Sequence, residues 1–315
     1  RCPARRGLPV GGRGERRSAS KCVSGINLKH RTAATLPNSP IVIFLFPFFR
    51  DALLGSLLVS VLCAVIGTFM VTRRAVIAGG GMAHASLGGV GLGAWLGFSP
   101  LWGAALFAVA SGFGIKWLER HSRVREDSAI AMLWTFGMAL GILFAWLTPG
   151  FMTDVPTYLF GNILGISSGG LLALTVLTIV VLIAYLLHGR IWITVSCDPD
   201  FARTQGLPVT FIENLLTVLT ALTVVVSLQV VGIIMVISLL SVPQATAALF
   251  ASTFRGIVRL SALFSMVACI SGLLLSYFAD LPGGASIILC GIALYLLCRA
   301  IKSLFVSYIM YGRII

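Results

Sequence analysis

The chain has 315 residues, of which 58% are hydrophobic and 10% are charged, and its mean hydropathy is +1.00. This composition excludes a soluble domain, because repeated apolar runs of roughly 20 residues have the length that a helix needs to cross a bilayer. The net charge of +13 does not indicate a nucleic-acid partner, since ten of the 23 Lys and Arg residues lie in residues 1–50 and the rest lie near the ends of apolar runs. The runs lack the alternation of barrel strands, so the expected fold class is all-α.

Residues 1–40 are polar, rich in Arg, Gly and Pro, and without periodicity. Such a composition is typical of disordered segments, and the segment lacks the apolar core of a secretory signal. We expect a disordered basic tail, either an unstructured extension or a sequence that is not native to the protein. A basic anchor on anionic lipid is the alternative. A single transmembrane domain is expected in residues 41–315.

Nine apolar runs predict a polytopic membrane protein with eight to nine transmembrane helices. The runs are 48–71, 75–96, 100–118, 128–147, 168–188, 210–230, 232–251, 257–278 and 285–305. The count is eight if the first run, which is preceded by Pro47, lies along the membrane surface. The segment 154–166 is too short to span and contains Pro156, so we expect it to be re-entrant or interfacial.

The basic residues beyond position 50 predict the orientation of these runs. They follow the odd-numbered runs, as Arg73, Arg74, Lys116, Arg120, Arg123, Arg125, Arg190, Arg203, Arg255, Arg259, Arg299, Lys302 and Arg313. The opposite loops carry only the acids Asp154 and Asp280. The positive-inside rule therefore places the basic loops and the C-terminus in the cytoplasm. The two acids form an external rim that suits attraction of a cation, or they are simply solvated.

The second run contains one imidazole within a glycine-rich stretch, GGGMAHASLGGVGLG over residues 79–93. On a helix, Gly80, His84 and Gly88 fall on one line, so this face lets another helix or a permeating ion approach the backbone. His84 is the one side chain on it that can bind a ligand. Ionisable groups inside a bilayer are functional candidates, although a neutral histidine bonded across a helix contact is an equal alternative.

The loop 196–208, SCDPDFARTQGLP, predicts a short amphipathic helix parallel to the membrane. Asp198 is a helix N-cap followed by proline, and Gly206 ends the helix. The segment is either an ordinary surface loop or a contact site for a soluble partner. In the second case Phe201 is the apolar anchor, and Asp200 and Arg203 are the charged positions.

Two further segments carry polar residues within or beside apolar runs. In GIIMVISLLSVPQ (232–244), Ser238, Ser241 and Gln244 are spaced three apart along a helix kinked at Pro243. Such a stripe serves helix packing or, as the alternative, lines a permeation path. The turn SYFADLPGGA (276–285) places Asp280 on the external side.

No enzyme site is recognisable. The sequence contains no HExxH, no Ser–Lys dyad, no intramembrane carboxylate pair and no Gly-x4-Gly-Lys-[Ser/Thr] nucleotide loop. The seven cysteines form no CxxC pair and lie mostly in apolar runs, which indicates neither a disulfide framework nor a zinc cluster. Uphill transport by this chain would need energy from another protein.

Seven segments, in order, resemble one known family. They are 46–74, 80–93, 125–142, 158–167, 198–209, 230–250 and 275–289. Through them the chain resembles the membrane permeases of zinc- and manganese-importing ABC transporters, which are related to cobalamin and siderophore permeases. The resemblance implies a type II ABC importer-like permease that forms a homodimer, with a pathway on the two-fold axis. It also implies two cytoplasmic ATPase subunits, an extracytoplasmic metal-binding protein and a multi-pass location in a cell membrane, the bacterial inner membrane.

The resemblance also assigns roles to particular residues. Segment 198–206 matches the family's cytoplasmic coupling element. The family's second helix commonly carries an acidic residue four positions before a histidine, both facing the pathway as transient metal ligands. His84 matches the histidine, but Gly80 stands at the acidic position, so this chain departs from the pattern. Imidazole without carboxylate suits zinc better than manganese.

The expected function is therefore the permease subunit of an ATP-driven importer of divalent metal ions, zinc or else manganese. We expect no permanently bound cofactor, because the metal is cargo and ATP is hydrolysed by the partner subunit. Membrane lipid is the expected surrounding, without nucleic acid. The alternatives are a permease for a metal chelate of the siderophore or cobalamin type, and a secondary transporter or membrane enzyme that acts alone.

Overall fold

The structure is a computed structural model that describes residues 47–122, 124–148 and 166–311. Its helices are α1 (Pro47–Thr72), α2 (Val76–Leu96), α3 (Pro100–His121), α4 (Glu126–Leu147), α5 (Ser168–Cys197), α6 (Pro199–Thr204), α7 (Val209–Val231), α8 (Ile233–Leu239), α9 (Val242–Ala247), α10 (Phe254–Ala279) and α11 (Gly283–Tyr311). Strands are absent from these described ranges. The expected tail, 1–40, and the segment 154–165 lie outside them.

Within the described residues, seven helices are long and apolar enough to cross a membrane, namely α1, α3, α4, α5, α7, α10 and α11. Helix α2 has 21 residues and no charged side chain, but its many glycines and His84 lower its hydropathy. The all-α, polytopic membrane architecture predicted from the sequence is confirmed. Its core lies around α1 and α7, the most buried of the seven, whereas α5 and α11 expose most of their surface.

Two helices run longer than the apolar runs that predicted them. Helix α5 continues from residue 188 to Cys197, and α11 continues from residue 305 to Tyr311. His188 and Arg190 lower the hydropathy of this stretch without opposing helix formation. Helix α5 therefore extends beyond its apolar run and ends only at Asp198, whose backbone is extended and which caps the next helix.

The prediction of one kinked helix over the run 232–251 is wrong in its continuity. The run forms two short helices, α8 and α9. Pro243 explains the break, since a proline inside a helix clashes with the preceding turn and cannot donate to the carbonyl of Leu239. Gln244 supplies a replacement donor. Its Nε2 donates to the Leu239 oxygen at 3.1 Å and to the Cys63 oxygen of α1 at 2.8 Å. The Leu239 carbonyl at the interruption is thus satisfied internally, as a membrane interior requires.

Helix α2 packs against α3 and α4 with the main chains in direct contact. A Cβ atom on Gly89 would overlap the carbonyl group of Gly103 on α3. A Cβ atom on Gly141 of α4 would lie 2.8 Å from the oxygen of Leu87. Small residues at helix crossings permit this close approach. Much of the glycine content of α2 is therefore explained by packing within the chain.

The ends of helices that the positive-inside rule assigns to the cytoplasm meet one another. Arg73 at the end of α1 and Arg120 at the end of α3 both pair with Glu213 near the start of α7. The Lys302 amino group of α11 contacts the backbone oxygen of Leu249, which follows α9. These contacts agree with the predicted alternation of the helices.

Candidate functional site

The imidazole of His84 lies half-buried on α2 and stacks on an indole ring of α4. The ring centroids of His84 and Trp134 are 4.2 Å apart, and their planes are inclined by 9°. The indole is itself held, because its Nε1 donates to the sulfur of Met138 at 2.9 Å. The Nδ1 atom of His84 is buried and has no hydrogen-bond partner among the residues that the structure describes. Buried polar atoms are almost always hydrogen-bonded, so this nitrogen marks the ring as a candidate ligand.

The two glycines that share the predicted line with His84 have different surroundings. A Cβ atom on Gly80 would meet the side chain of Ile237 on α8 at 3.6 Å, an ordinary van der Waals distance. A Cβ atom on Gly88 would lie 2.8 Å from the oxygen of Gly137 and 2.9 Å from the ring of Phe107. Gly88 therefore allows α3 and α4 to approach α2. Gly80 leaves more room, next to the interrupted helix pair α8 and α9.

The described part of the chain contains no group of three His, Cys, Asp or Glu side chains close enough to hold a metal ion. Gly80 has no side chain, so the carboxylate that the resembling family places four residues before the histidine has no counterpart at that position. A single chain thus offers one ring and no closed coordination shell. Such a site suits passage of an ion better than storage, because conduction requires that the ion also leaves.

The segment 198–206 forms the short capped helix that the sequence predicts. The Asp198 carboxylate accepts a hydrogen bond from the backbone N–H of Phe201 at 2.9 Å, which caps α6 at its start. Gly206 follows the helix with φ of +72°, a left-handed conformation that favours glycine. The helix is therefore defined at both ends by local interactions.

Helix α6 presents its functional candidates outward. The side chain of Phe201 is 51% exposed, whereas the neighbouring Ala202 is fully buried and fixes the inner side of the helix. Arg203 pairs with Asp200 at 2.8 Å on the exposed side. An exposed aromatic ring beside an exposed ion pair can contact a soluble partner.

The polar residues of α8 and α9 are largely engaged within the chain. The Ser241 hydroxyl donates to the Ile237 oxygen at 2.9 Å, and Ser238 is half-buried. Gln244 is fully buried and makes the two Nε2 hydrogen bonds described above, although its Oε1 has no partner among the described residues. These contacts explain the polar stripe by packing, and a role for the three residues in lining a pathway stays a prediction.

Of the two acids predicted to form the external rim, the structure describes Asp280. Asp280 is exposed, has φ of 52°, and closes α10 through a backbone N–H that donates to the Ser276 oxygen. Asp154 lies outside the described residues. The position of Asp280 at the end of α10 has a local structural explanation, and its attraction of a cation stays a prediction.

Two residues that the sequence analysis did not single out lie in notable positions. Trp134 covers one face of His84, and nothing in the local sequence pattern indicates this contact across 50 residues. The Glu213 carboxylate forms ion pairs with Arg73 and Arg120, at helix ends that the positive-inside rule assigns to the cytoplasm. It was recognisable as an acidic residue inside the apolar run 210–230, because ionisable residues in such runs are functional candidates by default.

Comparisons with known proteins identify relatives along most of the chain. A profile of the ABC 3 transport family matches residues 45–302. The manganese transport system membrane protein MntC of Halalkalibacterium halodurans is 34% identical over 80% of this chain and 86% of its own length. The high-affinity zinc uptake system membrane protein ZnuB of Haemophilus influenzae is 29% identical over 80% of this chain and 97% of its own length.

The same relationship is seen in three dimensions. A chain in the structure of PsaBC from Streptococcus pneumoniae in complex with Fab superposes with a TM-score of 0.76. The match covers 82% of this chain and 93% of that chain, with 29% sequence identity. The spanning helices, the family match and the relatives agree. The chain therefore belongs to the ABC 3 transport family, as a multi-pass membrane permease subunit and not an enzyme.

Proposed function

We propose that this chain forms the translocation pathway of an ATP-driven importer of divalent transition-metal ions, with zinc as its cargo. The observation that carries the proposal is the half-buried imidazole of His84 inside a helix of an ABC 3 transport family chain. Its Nδ1 has no hydrogen-bond partner in the part of the chain that the structure describes. Relatives named for manganese transport and for zinc uptake support a metal cargo. An ionisable group is costly inside a membrane, and a role in transport explains its presence.

Zinc is preferred on the chemistry of the available ligand. Imidazole suits zinc, whereas manganese prefers oxygen ligands, and Gly80 supplies none. In a homodimer the second copy brings its own His84, and two imidazoles form a weak two-nitrogen station on the pathway. Weak binding lets the ion leave again. Manganese is the second candidate, because the relative named for manganese transport is 34% identical to this chain and the one named for zinc uptake 29%.

Energy is supplied by a separate ATPase that contacts α6. Phe201 is the apolar contact of this interface, and Asp200 and Arg203 are its charged contacts. An extracytoplasmic metal-binding protein delivers the ion on the opposite side, where Asp280 and Asp154 contribute negative charge. Metal uptake in this proposal depends on ATP hydrolysis by the separate ATPase. The 315-residue sequence itself contains no nucleotide-binding loop of the Gly-x4-Gly-Lys-[Ser/Thr] type.

The test is metal-dependent growth of a bacterial strain that lacks its own zinc and manganese importers. The chain is expressed together with its ATPase and binding-protein partners, and each metal is titrated separately. We expect growth at low zinc and ATP-dependent zinc uptake by membrane vesicles. Rescue by manganese alone would replace zinc with the second candidate. Rescue by neither metal, with all subunits present in the membrane, would contradict metal import.

A further inference from the structure

A cavity of about 400 Å³ lies where the cytoplasmic ends of α1, α3 and α7 meet the start of α2. Glu213 of α7 lies at its wall. The carboxylate of this residue pairs with the guanidinium of Arg73, directly after α1, and, at 3.8 Å, with that of Arg120 on α3. The Lys116 amino group of α3 donates to the backbone oxygen of Glu213 at 3.0 Å and approaches the side-chain oxygen of Asn214 at 3.5 Å. One acidic residue thus contacts cations from two other helices.

The contact between Glu213 and Arg73 is shielded from solvent more than an ordinary surface ion pair. The side chains of Glu213 and Arg73 are 13% and 24% exposed. Arg125 and Asp127, a surface pair at 3.8 Å, are 86% and 71% exposed. Exposed pairs are weakened by water and salt, whereas partly buried pairs are screened much less. The Glu213–Arg73 ion pair is therefore expected to hold α7 and the end of α1 together more strongly than the Arg125–Asp127 pair holds its residues.

Helix α6 is joined to Glu213 by a short, hydrogen-bonded connection. The backbone N–H of Leu207 donates to the oxygen of Ala202 on α6 at 3.1 Å. The N–H of Ile212 donates to the oxygen of Pro208 at 3.2 Å, so the first turn of α7 starts directly after the connection. Arg203 of α6 also lines the cavity. A displacement of α6 therefore moves the first turns of α7, where Glu213 lies.

Helix α3 continues the connection toward α2. One turn before Lys116, a Cβ atom on Gly112 would lie 2.8 Å from Thr217 of α7 and 2.9 Å from the sulfur of Met82 on α2. Met82 is two residues from His84. A rigid helix that touches α7 and α2 at the same level transmits a shift from one to the other, since packed cores do not deform continuously.

We propose that Glu213 is a positioning residue that couples the movement of α6 to α1 and α3, and through α3 to the helix that carries His84. The inference rests on the proposed function, in which a separate ATPase acts on α6. Glu213 touches neither metal nor nucleotide in this proposal. Its loss uncouples ATP hydrolysis from transport without removing the binding sites.

The experiment compares Glu213→Gln with wild type in the purified complex of permease and ATPase, reconstituted in liposomes. Metal uptake and ATP hydrolysis are measured on equal amounts of assembled complex, and their ratio is the readout. We expect the ratio to fall by roughly fivefold or more, the lower range of a typical coupling effect. Glu213→Asp is expected to restore part of it. The matched control is Asp127→Asn, which removes the carboxylate of the exposed pair and should leave the ratio unchanged.

The ion pair between Arg73 and Glu213 gives a second criterion. Arg73→Gln should also lower the ratio, and the double variant Arg73→Gln/Glu213→Gln should be no worse than the more impaired single variant, because both remove one interaction. An unchanged ratio in Glu213→Gln overturns the proposal. This includes an unchanged ratio that results from equal losses of uptake and hydrolysis, because that pattern indicates only a structural role.

A wild-type complex that hydrolyses ATP without moving metal would contradict the proposed function instead. The positioning role is then judged from a signal that needs no cargo: ATP-dependent labelling of a cysteine introduced at Ser99, which is exposed between α2 and α3. Loss of the ATP-dependent change in Glu213→Gln, but not in Asp127→Asn, supports the proposal. The same response in all variants overturns it.

Discussion

The imidazole of His84 and the indole of Trp134 are stacked nearly parallel, with 4.2 Å between their centroids. The indole belongs to α4 and is held by its own contact with Met138. Stacking restricts rotation of the imidazole and covers one of its faces, so Trp134 fixes the direction in which the ring nitrogens point. Groups that orient a metal ligand typically affect metal affinity or activity strongly.

We predict that Trp134→Ala lowers metal uptake by about tenfold, because the imidazole loses its orientation. Trp134→Phe keeps an aromatic face and should retain most of the uptake. Trp146→Ala is the control, since Trp146 lies on the same helix with an exposed side chain. The measurement is initial uptake of radioactive zinc, corrected for the amount of permease in the membrane. Equal uptake by Trp134→Ala and wild type would contradict the role of the stack.

We predict that His84→Ala reduces uptake nearly to the background of a complex without ATP, while the permease still assembles with its ATPase. The matched control is His121→Ala. His121 also stacks on a tryptophan, with a centroid distance of 5.4 Å to Trp117, but it is exposed at the end of α3. Uptake and co-purification of the ATPase are measured together. Wild-type uptake by His84→Ala would exclude the imidazole as a ligand on the pathway.

We predict that Phe201→Asp weakens the contact of α6 with the ATPase. The capping bond from the Phe201 N–H to Asp198 involves the backbone, so the helix should survive the substitution. Phe201→Leu keeps an apolar side chain and serves as the matched control. Co-purification and metal-stimulated ATP hydrolysis are the measurements, and both should fall for Asp and persist for Leu. If both variants bind the ATPase equally well, Phe201 is not its anchor.

We predict that Gly89→Ala destabilises the protein by about 1–3 kcal/mol, because an added methyl group overlaps the main chain of α3 and forces the helices apart. Gly169→Ala is the control, since a Cβ atom there has open space around it. Thermal unfolding of the detergent-solubilised chain is the measurement. A lower Tm for Gly89→Ala and an equal or slightly higher Tm for Gly169→Ala are expected. Equal melting of the two variants would contradict the close approach of α2 and α3.

We predict that Gln244→Met destabilises the protein by roughly 2 kcal/mol, although methionine has a similar volume. The substitution removes the side-chain donor from the Cys63 and Leu239 oxygens. The Leu239 oxygen is then unsatisfied, because Pro243 has no N–H, and an unsatisfied buried acceptor costs about 1–3 kcal/mol. Gln229→Met, at an exposed position of α7, is the control and should have little effect. Thermal unfolding again measures the difference. A stable Gln244→Met would mean that the break needs no side-chain donor.

Much of the fold could be predicted from the sequence because it follows from local chemistry. The apolar runs gave the spanning helices, and Asp198, Pro199 and Gly206 gave α6 with its correct ends. The same reasoning underestimated α5, since hydropathy falls at His188 while the helix continues. Periodicity and capping act within a few residues, which is why these features are accessible without a structure.

The contacts that define the candidate sites depend on distant parts of the chain. Pro243 predicted an interruption of the helix. The hydrogen bond from Gln244 beside it to the Cys63 oxygen of α1 could not be predicted, because it depends on packing between residues 181 positions apart. Glu213 and Arg73 are 140 residues apart, and their pairing follows from how α1 and α7 meet. Charge and composition show that such residues are costly in a membrane. They do not show which neighbour each residue reaches.

The bare contact between Gly89 and Gly103 constrains how this molecule can change shape. Helices separated by interlocking side chains can repack by switching rotamers, but two touching peptide backbones have no such freedom. The α2–α3 pair is therefore expected to travel as a single body during a transport cycle. Conformational change must then occur mainly in the connections before α2 and after α3. An ion beside His84 would move together with both helices.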